Sequence, residues 1–358
     1  MTRGSLLAVV LALSCGSPPP PAYVRESERA AEARRRGDHA GAAEHYERAA
    51  ELALKARDAD EARYRAAEAH ARSGRLDSAR RLYAALAEGG GERAARADFE
   101  LAELLRRTGQ TDEAAAHLAA ALERHPNAGV APGALREHLD FLRARGGSEA
   151  VLVYLASASQ RLSGSELGEA LAYRRARELD EAGKPREARD AYLECATAFP
   201  YPSGAYWDDA LYRAAEKELA LGAPERALAH LSRLLAERES ARITGSYERG
   251  RYAEAQLKIA EIYRDELRDS ARARRELRKV WELYPTSRLG DDALFQEALV
   301  ARGDGDQVGT CAPLRLLVTQ RRDSRYAPCA PLLCPGLKVD AAAPRACHDY
   351  IKRAAGLR

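Results

Sequence analysis

Apolar and polar positions along this chain follow the period of an amphipathic helix, and one larger pattern returns every 35 to 39 residues. A glycine is followed five residues later by an alanine and nine residues later by a large apolar residue. In the first occurrence these residues are Gly37, Ala42 and Tyr46. An alanine also stands seven positions before each of the glycines, which are Gly37, Gly74, Gly109, Gly183 and Gly222. Such a constant interval predicts a repeated structural unit.

Residues 94–126 show what one unit contains. Apolar residues at helical spacing predict a first helix, which ends at Gly109 because glycine readily adopts the left-handed backbone of a helix stop. Thr111 then begins a second helix as its N-cap, and the buried stripe of that helix begins with Ala114. Small residues allow the two helices to cross closely. Each unit is therefore predicted to be a helical hairpin.

The repeat predicts an all-α fold, a right-handed α-solenoid of stacked hairpins over residues 23–320. We count about eight units on the repeat-period criterion. The units near 129–163 and 251–285 are degenerate: the first has Gly146 at the expected glycine position, and the second has no glycine between its helices. In the first of these, the expected core positions lie near Ala150 and Tyr154. An ordinary helical bundle is the alternative fold.

These positions resemble the tetratricopeptide repeat family, whose period is about 34 residues. Two segments, 199–212 and 284–295, also share a Tyr-Pro, a Ser, and then Asp-Asp-Ala-Leu with an aromatic residue. They are similar to repeats of the envelope lipoprotein family that includes BamD, and to repeats of the cell-division coordinator of the Tol-Pal system. This second resemblance implies a role in the bacterial cell envelope.

The family resemblance also implies a groove lined by the first helix of each hairpin. Each unit has two groove positions. The first lies ten residues before the glycine, and the second lies six residues before it. Here the aromatic residues are Tyr64, Phe99, Tyr173, Tyr212 and, in the aligned last unit, Phe295; the charged residues that follow include Glu68, Glu103, Arg177 and Glu216. We expect this groove to bind an extended peptide or a partner helix. The alternative is that the rings only pack between neighbouring repeats.

The N-terminus has the form of a lipoprotein signal. Arg3 precedes an apolar run that ends at Ser14-Cys15, which predicts a signal peptide over residues 1–14. The sequence before Cys15 resembles a bacterial lipobox, which implies that this cysteine carries the lipid. Residues 15–22 would form a proline-rich tether, and the protein would lie on the periplasmic face of the outer membrane. A plain secretory signal is the alternative.

Four further cysteines cluster near the C-terminus: Cys311, Cys329, Cys334 and Cys347. In an exported chain they predict two disulfides, with three possible pairings. We favour Cys311 with Cys329 and Cys334 with Cys347, because each pair closes a short local loop. Zinc binding by the four thiols is the alternative. Residues 321–358 are interpreted as a cysteine-rich segment that caps the repeats.

The composition and motifs of the sequence give no sign of nucleic-acid binding, metal binding or catalysis. The chain has 57 Lys and Arg against 54 Asp and Glu, a balance that does not favour nucleic acid as a partner. Its histidines show no metal-binding spacing, and no phosphate loop, nucleophile elbow or dinucleotide fingerprint occurs. Cys195 replaces a small core residue and is expected to be a buried thiol. We expect no cofactor, no metal and no enzyme activity.

The sequence thus predicts a non-catalytic lipoprotein scaffold in the envelope, with envelope proteins or extended peptide segments as partners and the membrane contacted through a lipid. Three other functions remain open: an outer-membrane assembly subunit resembling BamD, a secretion or motility lipoprotein, and, from a different class, an enzyme acting on peptidoglycan.

Overall fold

A computed structural model describes residues 18–237 and 250–357. Within these ranges the regular structure is helical, with turns between helices and no strand, which confirms the all-α prediction. The predicted signal peptide, Cys15 and the start of the tether lie outside the described residues. Across the described ranges, no helix combines the length and the hydropathy that crossing a membrane requires.

Two compact units share the chain: residues 1–145 with 165–167, and residues 146–164 with 168–358. In the first unit, consecutive helices pack on each other from α1 to α6. The helices of its described part are α1 Pro21–Arg35, α2 His39–Leu52, α3 Ala56–Arg72, α4 Leu76–Ala87, α5 Gly91–Arg107, α6 Thr111–Arg124 and the first half of α7 Ala131–Arg161.

The second unit continues the series of helices. Those that follow α7 are α8 Leu167–Glu181, α9 Pro185–Ala198, α10 Trp207–Ala220, α11 Pro224–Ala236, α12 Tyr252–Asp265, α13 Ser270–Leu283, α14 Gly290–Gly303, α15 Gln307–Gln320, a 3-10 turn Ala327–Cys329, α16 Ala330–Leu333 and α17 Asp349–Ala354. Within this unit, α9 packs on α10, α10 on α11, and each helix from α11 to α14 on its successor.

The glycines of the five strong units, and Gly305 at the equivalent position of the aligned last unit, all adopt the left-handed backbone. Their φ angles lie between 69° and 82° at Gly37, Gly74, Gly109, Gly183, Gly222 and Gly305. In each turn the N–H that follows the glycine donates to the carbonyl five residues earlier, as Gln110 does to Leu105 at 2.9 Å. This bond satisfies a carbonyl that the helix end leaves without a partner.

The recurring alanines are buried in every strong unit. Those after the glycine are at most 6 % exposed, and those before it at most 4 %. They are Ala42, Ala79, Ala114, Ala188 and Ala227 after the glycine, and Ala30, Ala67, Ala102, Ala176 and Ala215 before it. Because an alanine brings only a methyl group to the crossing, the two helices of a hairpin approach closely at these points.

The degenerate unit near 129–163 differs from the prediction by one residue. α7 has non-helical backbone at Gly146 and Gly147, and Gly147 is the left-handed one, with a φ of 62°. The fully buried side chains that follow are Val151 and Leu155, whereas Ala150 and Tyr154 are only half-buried. Val151 and Leu155 stand five and nine residues after Gly146, each next to one of the two residues named above, so the core of this unit lies one residue beyond Ala150 and Tyr154, about 100° further around the helix.

In the unit without a glycine, an arginine adopts the left-handed backbone. Arg268 has a φ of 53° between α12 and α13. The next residue, Asp269, caps α13 by accepting a hydrogen bond from the Arg272 N–H at 2.8 Å. The hairpin geometry is thus kept by a residue that the glycine pattern could not reveal.

The C-terminal cysteines form two disulfides, but with another pairing than the one favoured above. Cys311 joins Cys334, and Cys329 joins Cys347. The local pairing is wrong because Cys311 lies in α15, which packs on α16, and Cys334 immediately follows α16. Since each of the four sulfurs is part of a disulfide, none of them is a thiolate that could bind zinc.

The tail beyond α15 shares one apolar core with the last hairpin. Ile351 and Ala355 are buried there together with Phe295 and Ala298 of α14. The Arg302 guanidinium donates to the carbonyl of Ala355 at 2.8 Å, which fixes the end of α17 to α14. The two disulfides hold the rest of the tail against the same core.

Candidate partner-binding groove

The five predicted groove rings lie on the first helices of their hairpins. Tyr64, Tyr173, Tyr212 and Phe295 are buried, with at most 8 % of their surface exposed. Phe99, on α5, is half-buried. Most of the ring surface is therefore used inside the protein, and Phe99 presents the most accessible ring of the five.

A flat side chain from the start of the following unit covers each buried ring. Tyr173 stacks on Tyr206 at 4.4 Å between ring centroids, and Phe295 stacks on Tyr326 at the same distance. The Arg251 guanidinium lies 4.9 Å from the Tyr212 ring, and the Arg93 guanidinium lies 5.1 Å from the Tyr64 ring. Each of these four rings is thus partly covered by a side chain that follows its own hairpin in the chain.

Each of the two Asp-Asp-Ala-Leu segments supplies a carboxylate that binds the side chains around a buried ring. Asp209 accepts hydrogen bonds from the Tyr173 hydroxyl of the preceding unit and from Arg251 of the following one. Burial and this bond to Asp209 raise the pKa of Tyr173. Asp292, at the equivalent position, accepts from Arg325 at 2.7 Å and from the Tyr326 hydroxyl at 2.5 Å. The sequence pattern marks this motif but not its contacts, which for Asp209 join successive repeats and for Asp292 join α14 to the tail after α15.

In the second compact unit, the two charged residues predicted for the groove are each paired with a residue of their own helix. Arg177 binds Glu181 at 2.7 Å, with 46 % of the Arg177 side chain exposed. Glu216 binds Arg213 at 3.1 Å. Exposed pairs of this kind contribute only about 0–1 kcal/mol, so both side chains remain available to a partner at small cost.

One cavity of about 300 Å³ opens on the first-helix face of the first unit. Its apolar floor comes from Tyr64, Phe99, Val130 and Ala134, and its charged rim from Arg96, Glu100, Glu103 and Glu137. Three consecutive first helices, α3, α5 and α7, supply most of this lining. We call it the Phe99 groove. Two of the predicted residues, Tyr64 and Phe99, thus line the same depression.

The carboxylates at the rim of the Phe99 groove repel one another. Burial, together with the neighbouring carboxylates of Glu68 and Glu103, raises the pKa of Glu100. Burial and Glu103 likewise raise the pKa of Glu137. Arg106 offsets part of this repulsion, because it binds Glu103 at 2.6 Å and approaches Glu137 at 3.7 Å. The rim therefore keeps an excess of negative charge.

A larger cavity of about 710 Å³ opens in the second unit beside the C-terminal tail, and we call it the C-terminal cleft. Its apolar lining is Phe295, Leu299, Val300, Tyr326, Tyr350, Ile351 and Ala354, and its polar lining includes Arg264, Arg268, Gln296 and Asp304. Half of Tyr350 is exposed. Arg264 is held by both carboxylate oxygens of Asp265 at 2.7 Å. Thus a third predicted ring, Phe295, also borders a depression.

Reactive groups are few in the part of the chain that the structure describes. Cys195 is a buried free thiol, as predicted, and burial raises its pKa to about 12. Because the thiolate is the nucleophile, this cysteine is inert near neutral pH. Residues 18–237 and 250–357 contain no group of three or more His, Cys, Asp or Glu side chains that could hold a metal ion.

Helical hairpins that close through left-handed turns and cross at buried alanines in a fixed register define an α-helical repeat protein. The tetratricopeptide repeat model matches residues 96–128 and 254–287, and the chain therefore carries tetratricopeptide repeats. The second match covers the unit that closes without a glycine. No curated protein matches the chain.

Solved structures to which this chain is similar include those of three bacterial proteins. A tetratricopeptide repeat protein from Parabacteroides merdae is 15 % identical, with 74 % of this chain and 94 % of that chain covered and a TM-score of 0.33. The C-terminal part of a repeat protein from Cytophaga hutchinsonii is 12 % identical, with 75 % and 98 % covered and a TM-score of 0.43. PilF of Pseudomonas aeruginosa is 17 % identical, with 64 % and 93 % covered and a TM-score of 0.38.

Proposed function

We propose that this protein is a non-catalytic scaffold of the bacterial envelope, which docks protein partners on the first-helix faces of its repeats. The observation that carries the proposal is that three of the five predicted groove rings border open depressions. Tyr64 and Phe99 line the Phe99 groove, and Phe295 lines the C-terminal cleft. Both depressions combine an apolar floor with a charged rim, which suits an extended peptide or a partner helix.

The proposal places the protein in an oxidising compartment, attached to a membrane by lipid on Cys15. The two disulfides of the tail support this location, because structural disulfides are typical of exported proteins. The lipid would hold the chain at the periplasmic face of the outer membrane, where its partners would be other envelope proteins.

A more specific role as an outer-membrane assembly subunit resembling BamD rests on the Asp-Asp-Ala-Leu segments. Their carboxylates Asp209 and Asp292 are engaged in contacts between repeats. The likeness of these segments is thus explained by packing and implies no shared partner. A role in secretion or motility would use the same docking faces, and only the identity of the partner distinguishes it.

Co-purification with matched variants tests the docking proposal. We expect Phe99→Ala in the Phe99 groove and Leu299→Ala in the C-terminal cleft each to reduce the recovery of at least one partner. Leu54→Ala and Val308→Ala serve as controls, since these aliphatic side chains are 84 % and 81 % exposed and line neither depression. Unchanged recovery with both groove variants, at unchanged helicity, would contradict the proposal.

A further inference from the structure

The Phe99 groove exposes part of an aromatic ring to a ligand, whereas the rings of Tyr173 and Tyr212 are buried. Phe99 is half-buried, and Ala134 of α7 and Val130, immediately before α7, line the same cavity. The cavity of about 300 Å³ is large enough for one or two side chains of a bound segment, at the lower end of the usual range for ligand pockets. An apolar side chain can therefore enter beside the Phe99 ring.

Charge around this floor is unbalanced. Glu100, Glu103 and Glu137 lie on the rim, and Glu68 is close enough to raise the pKa of Glu100. Three nearby arginines are already engaged: Arg106 is bound to Glu103, Arg96 to Glu92 at 3.1 Å, and Arg93, which covers Tyr64, to Glu61. None of these three cations forms an ion pair with Glu100 or Glu68.

We propose that the Phe99 groove binds a protein segment in which a lysine or arginine neighbours an apolar residue. The apolar side chain would cover Phe99, and the cation would lie between Glu100 and Glu137. A cation at this place would offset the mutual repulsion of the carboxylates, which Arg106 offsets only in part in the free protein. This inference rests on the proposed docking function and names the chemical class of partner for one of its two faces.

The C-terminal cleft has a different character. Its arginine Arg264 is already bound to Asp265, and the polar lining also contains Arg268 and Asp304. The opposite charges of the cleft therefore nearly balance, and its recognition would depend mainly on Tyr326, Tyr350 and the aliphatic lining. The preference for a cationic segment is thus specific to the first unit.

Fluorescence anisotropy with defined peptides tests the proposal. The probes are fluorescein-labelled peptides of four Leu-Lys-Ala repeats, four Leu-Gln-Ala repeats and four Leu-Glu-Ala repeats, added to the mature protein at near-physiological salt. We expect the lysine peptide to bind at least tenfold more tightly than the glutamine peptide, and the glutamate peptide to bind more weakly still. Equal binding of all three peptides would overturn the proposal.

Paired variants then locate the binding site. The double variant Glu100→Gln with Glu137→Gln should weaken the lysine peptide at least tenfold, and Phe99→Ala should weaken all peptides that bind. The control is Glu51→Gln with Glu88→Gln, which removes the same charge from exposed positions outside the groove and should change binding less than twofold. An equal loss in both double variants would mean nonspecific charge attraction and would overturn the proposal.

The two proposals fail separately. If groove variants lose a cellular partner but the lysine peptide does not bind, the docking function stands and the cationic class of partner is wrong. If the lysine peptide binds the groove but no variant loses a cellular partner, the groove has the inferred chemistry and the scaffold proposal is contradicted.

Discussion

At the scale of single residues, buried polar side chains of this chain join neighbouring helices. Asp98 of α5 is fully buried and lies 2.8 Å from the His117 ring, 2.9 Å from the Arg124 guanidinium and 3.2 Å from the His125 ring, all at or beyond α6. The half-buried Asp209 and Asp292 form similar contacts, Asp209 between successive repeats and Asp292 between α14 and the tail. Asp98 can lie inside a helical repeat because three basic side chains of α6 and the residue after it lie within ion-pair distance of its carboxylate.

We therefore expect Asp98→Ala to lower the free energy of unfolding by about 2–3 kcal/mol, since hydrogen bonds to charged groups contribute this much. Urea unfolding followed by circular dichroism measures the change. The control is Asp112→Ala, which removes an exposed partner of Arg145 and should cost less than about 0.5 kcal/mol. Equal costs for the two variants would mean that Asp98 does not join α5 to α6.

His138 provides a pH-dependent prediction. It is only 3 % exposed, and burial lowers its pKa to about 4 from an ordinary value near 6.5. Because the folded state binds this proton less readily than the unfolded state, the contribution of His138 is complete above pH 6.5 and is lost as pH falls towards 4. The total loss is about 3 kcal/mol for a shift of this size.

Replacement by an uncharged residue should remove this acid sensitivity. We expect the difference in unfolding free energy between pH 7 and pH 4 to be smaller in His138→Gln than in the parent protein. Chemical denaturation at a series of pH values measures it, with the exposed His348→Gln as the control. An unchanged pH profile for His138→Gln would show that this histidine is not kept neutral by burial.

At the scale of elements, the turn between the two helices of a hairpin requires one left-handed residue. Six glycines meet this need at the predicted positions, and Arg268 meets it where glycine is missing. At Gly109 an added Cβ would contact nothing within 4 Å, so only the backbone conformation favours glycine there. For other L-residues this conformation costs about 1–2 kcal/mol.

A reciprocal pair of variants tests this account of the turns. Gly109→Ala should lower the free energy of unfolding by about 1 kcal/mol, because the φ of 81° strains an alanine. Arg268→Gly should raise it by up to about 1 kcal/mol, after the greater freedom of glycine in the unfolded chain is subtracted. Thermal and urea unfolding measure both, and a gain in Gly109→Ala would contradict the account.

The elements that sequence could predict are those whose geometry depends on one residue type. The turn glycines and buried alanines were predictable because no other residue serves as well at those positions. Arg268 was not, since its strain is tolerated only by the packing of its hairpin. The disulfide pairing was missed because it depends on how α15 contacts α16, and proximity along the chain does not report that contact.

The candidate site was predictable only in part, for a similar reason. Repeat spacing identified the first-helix rings, but burial of Tyr173 and Tyr212 depends on Tyr206 and Arg251, which the pattern does not mark. The negative rim of the Phe99 groove needs Glu100 and Glu137 to meet across two helices. Contacts between side chains of different helices depend on tertiary packing, and the spacing of residues along the chain does not predict them.

At the scale of the whole molecule, the account combines docking faces in each compact unit with attachment at the N-terminus. Lipid on Cys15 would hold the chain at a membrane, although the described helices include no membrane span. Cys15→Ser should therefore move the protein from the membrane fraction to the released envelope fraction. Fractionation with detection of the full-length chain measures this, and continued membrane retention would contradict the anchor.

Site-specific photocrosslinking would show whether partners dock on the first-helix faces and in the C-terminal cleft. p-Azidophenylalanine would replace Phe99 in the Phe99 groove and Tyr350 in the C-terminal cleft, and, as controls on second helices, exposed Arg80 of α4 and Val308 of α15. We expect crosslinks to a defined partner from position 99 or 350, and none to that partner from position 80 or 308. Crosslinks from the second-helix positions alone would contradict it.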